Sequence, residues 1–325
     1  MNLKRYFLHS SRITAQTLRM ASPIKGFFAG SGSDMMNDPR PIEAILKLVP
    51  KSIQKEQQQQ IKVVYVGTAT YDIEQFRQAQ TQRFIDAGCQ VRHLKTTNEV
   101  PLDMETVIDE ADVVVVAGGN TLFALDRWSH LNMIQLLRRA MERGTVITGG
   151  SAGAICWFDG GHSDSMDPDT YKDRMLTKFV NASSMIVADK SDTGPEVKEW
   201  EYIRVPALGF LPGLICPHHD RIQSNGVLRA NDFDRLLLQS PGELGIGIDH
   251  WAALIIDGED YHVMSLEDKT GSVKNGIEFV TDGSGKPGIW IKEVKTIDGK
   301  DVVIKRVCPK AVSYTHLTLP TIYSV

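Results

Sequence analysis

Residues 112–117 read Asp-Val-Val-Val-Val-Ala, four β-branched apolar residues in a row with no polar alternation. Such a run can only be a strand covered on both faces, and strands of that kind belong to parallel sheets flanked by helices. The run stops at Gly118-Gly119-Asn120, and the amphipathic stretch over 121–143 predicts one long helix. The same alternation precedes and follows it. Strands are predicted over 25–29, 61–67, 91–94 and 145–148, and helices over 73–87 and near 103–110. After residue 151 the pattern loosens. A polar segment covers 160–177, strands are expected near 184–188 and 214–217, and a helix within 221–239. The segments 245–249 and 252–256 read as a hairpin, and 261–305 alternates polar and apolar residues as antiparallel ribbon does. The expected fold class is α/β: a mostly parallel sheet with helices on both faces, plus a C-terminal antiparallel β extension.

Composition narrows the function classes. The 325 residues are 42% hydrophobic and 23% charged, with a net charge of −4, so there is no broad basic field for a nucleic acid. No apolar run approaches the roughly 20 residues of a membrane-spanning helix. Cys89, Cys156, Cys216 and Cys308 are widely spaced, without the pairs of a zinc site or the density of a secreted disulfide scaffold. A reducing, cytoplasmic setting is expected. Residues 1–22 are read as a disordered or mis-called extension, although the basic, acid-free run over 1–33 also has the composition of a transit peptide. Residues 23–265 are read as the α/β domain, 266–312 as its β-rich extension, and 313–325 as a tail resembling translated sequencing adapter.

The strongest local signal is Gly149-Gly150-Ser151-Ala152-Gly153, between an apolar strand and a helical segment. A strand that turns sharply into a helix forces the serine into strained backbone geometry and aims its hydroxyl over the sheet edge. The helix N-terminus also favours negative charge there. A serine needs a base. His9 and His316 lie in the ends, His93 lies in a strand, and His130 and His262 have no polar companions, which leaves His162, His218, His219 and His250. His218 follows Pro217 at the carboxyl end of an apolar run, the same sheet edge on which the elbow opens. An orienting acid is offered by Asp164 and by Asp167, both in the polar segment after the elbow.

Ala117-Gly118-Gly119-Asn120-Thr121, then Gly150-Ser151-Ala152-Gly153-Ala154, then an Asp-Ser pair in a polar loop, then Pro217-His218, resemble in order and spacing the peptidase E family of serine peptidases. That family includes aspartyl dipeptidases and, more distantly, cyanophycinases. The resemblance spans roughly residues 25–260 and implies a fold akin to class I glutamine amidotransferases. By position it implies Ser151 as nucleophile, His218 as base and Asp164 as orienting acid. The N–H groups of Gly119 and Ala152 are placed to form an oxyanion hole, while Asn120 is either a helix cap or a substrate contact. One feature departs from the family: relatives carry an acid or a glycine near the closing strands, where this chain has Asp249-His250-Trp251.

The resemblance implies cleavage of short peptides with an N-terminal aspartate, which calls for a cation beside the elbow, with Arg174 and Arg221 the nearest by sequence. The expected partner is a small peptide, with a homodimer left open, and no cofactor or metal is expected. Competing readings are a metallohydrolase built on His218-His219-Asp220 with His162-Ser163-Asp164, an α/β-hydrolase esterase, and a non-catalytic module that holds an anion at helix N-termini.

Overall fold

The computed structural model describes residues 23–50, 60–183, 197–269, 286–308 and 311–313. The expectations for residues 1–22, 184–188 and the tail beyond 313 lie outside the described residues. The chain opens with β1 (Lys25–Ala29), the one-turn α1 (Ser33–Met36) and α2 (Pro39–Leu48). Helix α2 starts where Asp38 accepts the Arg40 N–H at 3.0 Å and Pro39 presets the first turn. Next come β2 (Lys62–Val66), α3 (Glu74–Asp86), β3 (Gln90–Leu94), α4 (Met104–Asp109) and β4 (Val113–Val116). All four valines of β4 are fully buried, as their uniform apolarity requires.

The single helix expected over 121–143 is two, α5 (Thr121–Ser129) and α6 (Met133–Arg143). Ser129 Oγ and His130 Nδ1 both donate to the Asp126 carbonyl, at 2.7 and 2.8 Å, and so take an acceptor that a continuing helix would use. Strand β5 (Val146–Gly150) then leads into the one-turn α7 (Ala152–Ile155).

Beyond the elbow the chain builds a second sheet from β6 (Phe158–Ser163), followed by α8 (Lys172–Ser183), β7 (Ile203–Pro206), β8 (Leu211–Cys216), α9 (Arg229–Leu238) and β9 (Gly245–Ile248). It re-enters the first sheet with β10 (Ala252–Asp257) and β11 (Asp260–Ser265). Strands β12 (Ile289–Ile297) and β13 (Lys300–Val307) return to the second, and β14 (Ala311–Ser313) to the first. The first sheet runs β14-β11-β10-β1-β5-β4-β2-β3, parallel from β1 to β3 and antiparallel beyond β1. The second runs β13-β12-β9-β8-β6-β7, with β6, β8 and β9 parallel. The mixed α/β class is as the sequence implied, with its antiparallel part divided between two sheets.

One expectation is overturned. The segments 245–249 and 252–256 are strands, but they do not pair with each other. Strand β9 lies between β8 and β12, and β10 between β1 and β11. Asp249-His250-Trp251 turns the chain, with the Ala252 N–H donating to Asp249 O at 2.9 Å, but the turn carries it from one sheet to the other. Buried Asp249 fixes the crossing: it accepts from His219 Nδ1 (3.1 Å), the Gly288 N–H (2.8 Å) and Trp290 Nε1 (3.3 Å).

The two sheets share one core. Phe28 of β1 meets Phe158 of β6 edge to face with ring centroids 5.0 Å apart, both fully buried, and Trp157 is buried beside them. Phe28→Ala is expected to cost about 3–5 kcal/mol by leaving a cavity at this junction. Urea denaturation reads the loss, and a change below about 1 kcal/mol would show that the sheets do not depend on this contact.

Candidate active site

Ser151 stands between β5 and α7 with φ 56° and ψ −125°, a conformation that L-residues avoid and that costs on the order of 1–3 kcal/mol. Three hydrogen bonds hold it: the Ser151 N–H donates to Ala29 O (3.1 Å), and the N–H groups of Ala154 and Ile155 donate to Ser151 O (2.9 and 3.2 Å). The approach to the elbow is so close that a Cβ on Gly150 would lie 2.0 Å from the Ser31 carbonyl oxygen. That contact explains the glycine before the serine.

Ser151 and His218 line one cavity of about 190 Å³, together with Asp34, Gln80, Gly119 and Met175. A cavity of about 370 Å³ beside Asp159 and Glu243 contains neither. The turn after β4 supplies the cavity's opposite wall. Gly119 has φ +134°, and a Cβ there would sit 2.3 Å from the Ala69 carbonyl oxygen, so only glycine fits. Gln80 of α3 accepts the Gly118 N–H at 3.3 Å. Among the described residues neither the Gly119 N–H nor the Ala152 N–H has a hydrogen-bond partner.

His218 follows β8 with φ 49°, and its N–H donates to Gly30 O at 3.0 Å. Its Nδ1 lies 2.8 Å from His250 Nδ1, and His250 Nε2 lies 3.0 Å from Asp34 Oδ2. Burial holds the His218 pKa well below the usual imidazole value, and the neighbouring His250, Arg229 and Arg221 push it the same way. The base is therefore neutral at physiological pH. The hydrogen bond from His250 holds the Asp34 carboxyl below its ordinary range, with a further contribution from the charge of Arg221. No hydrogen bond joins Ser151 and His218 directly here, a separation common in ligand-free hydrolases.

The acid implied by the resemblance is elsewhere. Asp164 lies in the loop after β6, as expected, but its Oδ2 accepts from Arg229 Nη1 (3.1 Å) and Gln223 Nε2 (3.0 Å). Arg229 is wholly buried and needs that counter-charge, so Asp164 is bound to the second sheet and does not orient His218. Asp167 caps a short turn through the Asp169 N–H (2.9 Å) and accepts from Ser224 Oγ (2.9 Å). Asn120 is engaged within the protein. Its Oδ1 accepts the Phe123 N–H (2.9 Å) and its Nδ2 donates to Ser165 O (3.0 Å) and Thr170 Oγ1 (2.9 Å), which uses the whole amide as a cap and tether.

Of the two arginines, Arg174 is exposed on α8, one residue before the cavity-lining Met175. Arg221 lies near enough for its charge to act on both Asp34 and His218, and its buried Nε has no hydrogen-bond partner. The histidines of the metal reading are dispersed among carboxylates. His162 Nε2 meets Asp232 (2.8 Å), His219 meets Asp249, and burial pushes His162 down to about 4. Among the described residues no three His, Cys, Asp or Glu side chains are grouped to hold an ion. Sequence reasoning missed Asp34, and it left His250 among four candidate histidines without a role; its further signal was the departure at Asp249-His250-Trp251.

The model of peptidase family S51 matches residues 27–264. The chain belongs to peptidase family S51. It is 31% identical over 271 residues to a Trypanosoma brucei brucei protein named G2/mitotic-specific cyclin-1, across 78% of this chain and 79% of that one. It is 29% identical to the uncharacterized peptidase YgaJ of Bacillus subtilis and 26% identical to peptidase E of Actinobacillus pleuropneumoniae. Those two matches cover about half of this chain and 59% and 58% of those proteins. The fold is similar to that of a peptidase from an acI-B1 actinobacterium, with a TM-score of 0.55 at 13% identity over 90% of this chain and 98% of that one. As a member of the S51 family the chain is a peptidase, and among the described residues no helix is long and apolar enough to cross a membrane.

For this S51 peptidase, Asp164→Asn is expected to cost about 3–5 kcal/mol of stability by stranding the buried Arg229 charge. The molecules that remain folded should turn over substrate at the native rate. Equal stability with a large fall in kcat would return Asp164 to the catalytic site.

Proposed function

We propose that this chain hydrolyses short peptides through an acyl-enzyme on Ser151, with His218 as general base. The reading is carried by one observation: a serine in a strained elbow and a histidine line the same small cavity as Gly119, whose N–H, like that of Ala152 next to the serine, has no hydrogen-bond partner among the described residues. In the first step Ser151 Oγ attacks the scissile carbonyl carbon while His218 Nε2 takes the hydroxyl proton. The Gly119 and Ala152 N–H groups receive the oxyanion, a contribution of about 3–4 kcal/mol per donor in comparable sites. The C–N bond then breaks as His218 returns its proton to the leaving amine. Water attacks the ester by the same route in reverse: His218 takes a proton from water and gives it back to Ser151 Oγ.

The cavity, about 190 Å³, is small and suits one or two residues of a peptide. The charge of Arg221 acts on both His218 and Asp34, and its guanidinium, whose buried Nε makes no hydrogen bond and lies 4.0 Å from Asp220 Oδ2, is suited to a substrate carboxylate. These features support dipeptides with an N-terminal aspartate as substrates, the specificity named for peptidase E relatives.

Ser151→Ala should lower kcat/KM by at least ~10³-fold while circular dichroism stays native, because triad members act as a unit. Retained activity would remove Ser151 from the mechanism. Rates on Asp-Leu, Asn-Leu and Ala-Leu test the specificity. Asp-Leu is expected to lead, and Arg221→Ala should erase roughly 10–100-fold of that preference. Equal kcat/KM values on the three dipeptides would discard the aspartyl reading, and cleavage of only longer or branched peptides would favour a cyanophycinase-like enzyme.

A further inference from the structure

The contact between His218 and His250 fixes where protons sit. Two imidazole Nδ1 atoms 2.8 Å apart form a hydrogen bond only if one carries a proton and the other does not. At the far side of His250, Nε2 lies 3.0 Å from Asp34 Oδ2. A carboxylate only accepts, so His250 Nε2 carries a proton; the opposite arrangement would set two lone pairs against each other. When that is the single proton His250 carries, its Nδ1 is bare, and His218 must donate to it from its own Nδ1–H. His218 is left with an unprotonated Nε2, the tautomer a general base needs.

The geometry points to His250 and Asp34 as positioning residues that hold His218 in its base-competent tautomer. The inference rests on the serine mechanism proposed above. It gives a role to the segment that departs from the family pattern, with a histidine and a remote aspartate taking the part of a single orienting acid. Other groups keep the relay in place. Asp220 Oδ1 accepts the His250 backbone N–H (2.7 Å) and its Oδ2 lies 4.0 Å from Arg221 Nε, so it meets the main chain and Arg221 rather than the ring. Ser31 Oγ donates to His250 O (2.8 Å), and the Trp251 ring packs edge-on at 4.9 Å. The His250 side chain is 13% exposed and that of Asp34 62%, so the relay is dry at the base and wet at its outer end.

That gradient sets the size of the expected effects. Asp34→Asn offers His250 an amide donor and allows the proton to move to His250 Nδ1, which leaves His218 with Nε2–H. Because water competes at the exposed end, kcat should fall roughly 10–100-fold, less than the ~10⁴-fold loss at a buried triad acid, with KM nearly unchanged. His250→Leu should cost more than Asp34→Asn. His250→Gln, whose amide offers an acceptor and a donor without titrating, should recover at least about tenfold of that loss in kcat. The direct readout is ¹⁵N-resolved NMR of the imidazoles: the unprotonated nitrogen of His218 is expected to be Nε2 in the native chain and Nδ1 in Asp34→Asn. Native kcat and an unchanged His218 tautomer in Asp34→Asn would overturn the relay, even if His250→Leu proves unable to fold. Should Ser151→Ala still be inactive in that case, the serine mechanism stands without the relay; an active Ser151→Ala would end both.

Discussion

The last residues of β1 are the point from which the active site is built. Ala29 O receives the Ser151 N–H, and Gly30 O receives the His218 N–H. The Gly30 N–H donates to Ala252 O at 2.9 Å, and a Cβ on Gly30 would lie 1.9 Å from Asp249 O. Ser31 touches both the elbow and the His250 backbone, and Asp34 meets the His250 ring. Four residues of one strand end and its turn thus hold Ser151, His218 and His250, although these come from chain segments more than a hundred residues away. Backbone contacts at this distance leave no slack, and they maintain two strained residues, Ser151 and His218, at positive φ.

The second sheet supports this arrangement from behind. Arg229, fully buried, donates to Asp164, to Gln223 Oε1 at 3.3 Å and to His162 O, and lies over the Tyr202 ring. A charge so placed is stable only with all its partners present. Asp164, the acid the resemblance pointed to, therefore satisfies an interior cation.

What was legible in the sequence was local. The valine run of β4, the glycine-framed elbow and the Pro217-His218 step each carry their structural meaning within a few residues, because sterics and burial act on the segment itself. Pairing over long distances is not written that way. The strands either side of Asp249-His250-Trp251 look like a hairpin because each is apolar and short, yet both prefer partners already in place in different sheets. The orienting group was hidden for the same reason. Asp164 lies 13 positions after Ser151, and a carboxylate near an elbow is a natural candidate. Asp34 lies 216 positions from His250, and only the fold brings the two together. Asn120 was ambiguous from sequence, since the same residue type caps helices and binds ligands, and in the structure its amide caps α5 and tethers the loop after β6.

The central claim is that Ser151 is a nucleophile made reactive by a neutral His218. Fluorophosphonate treatment of the native chain, followed by peptide mass spectrometry, tests it most directly, because the reagent traps a serine only where a base and an oxyanion hole already operate. The account predicts a single adduct on the peptide containing Ser151, formed at the same rate with and without a chelator, with hydrolysis lost in proportion to labelling. An unmodified Ser151 in an active preparation, or activity that chelator removes and labelling does not, would contradict it.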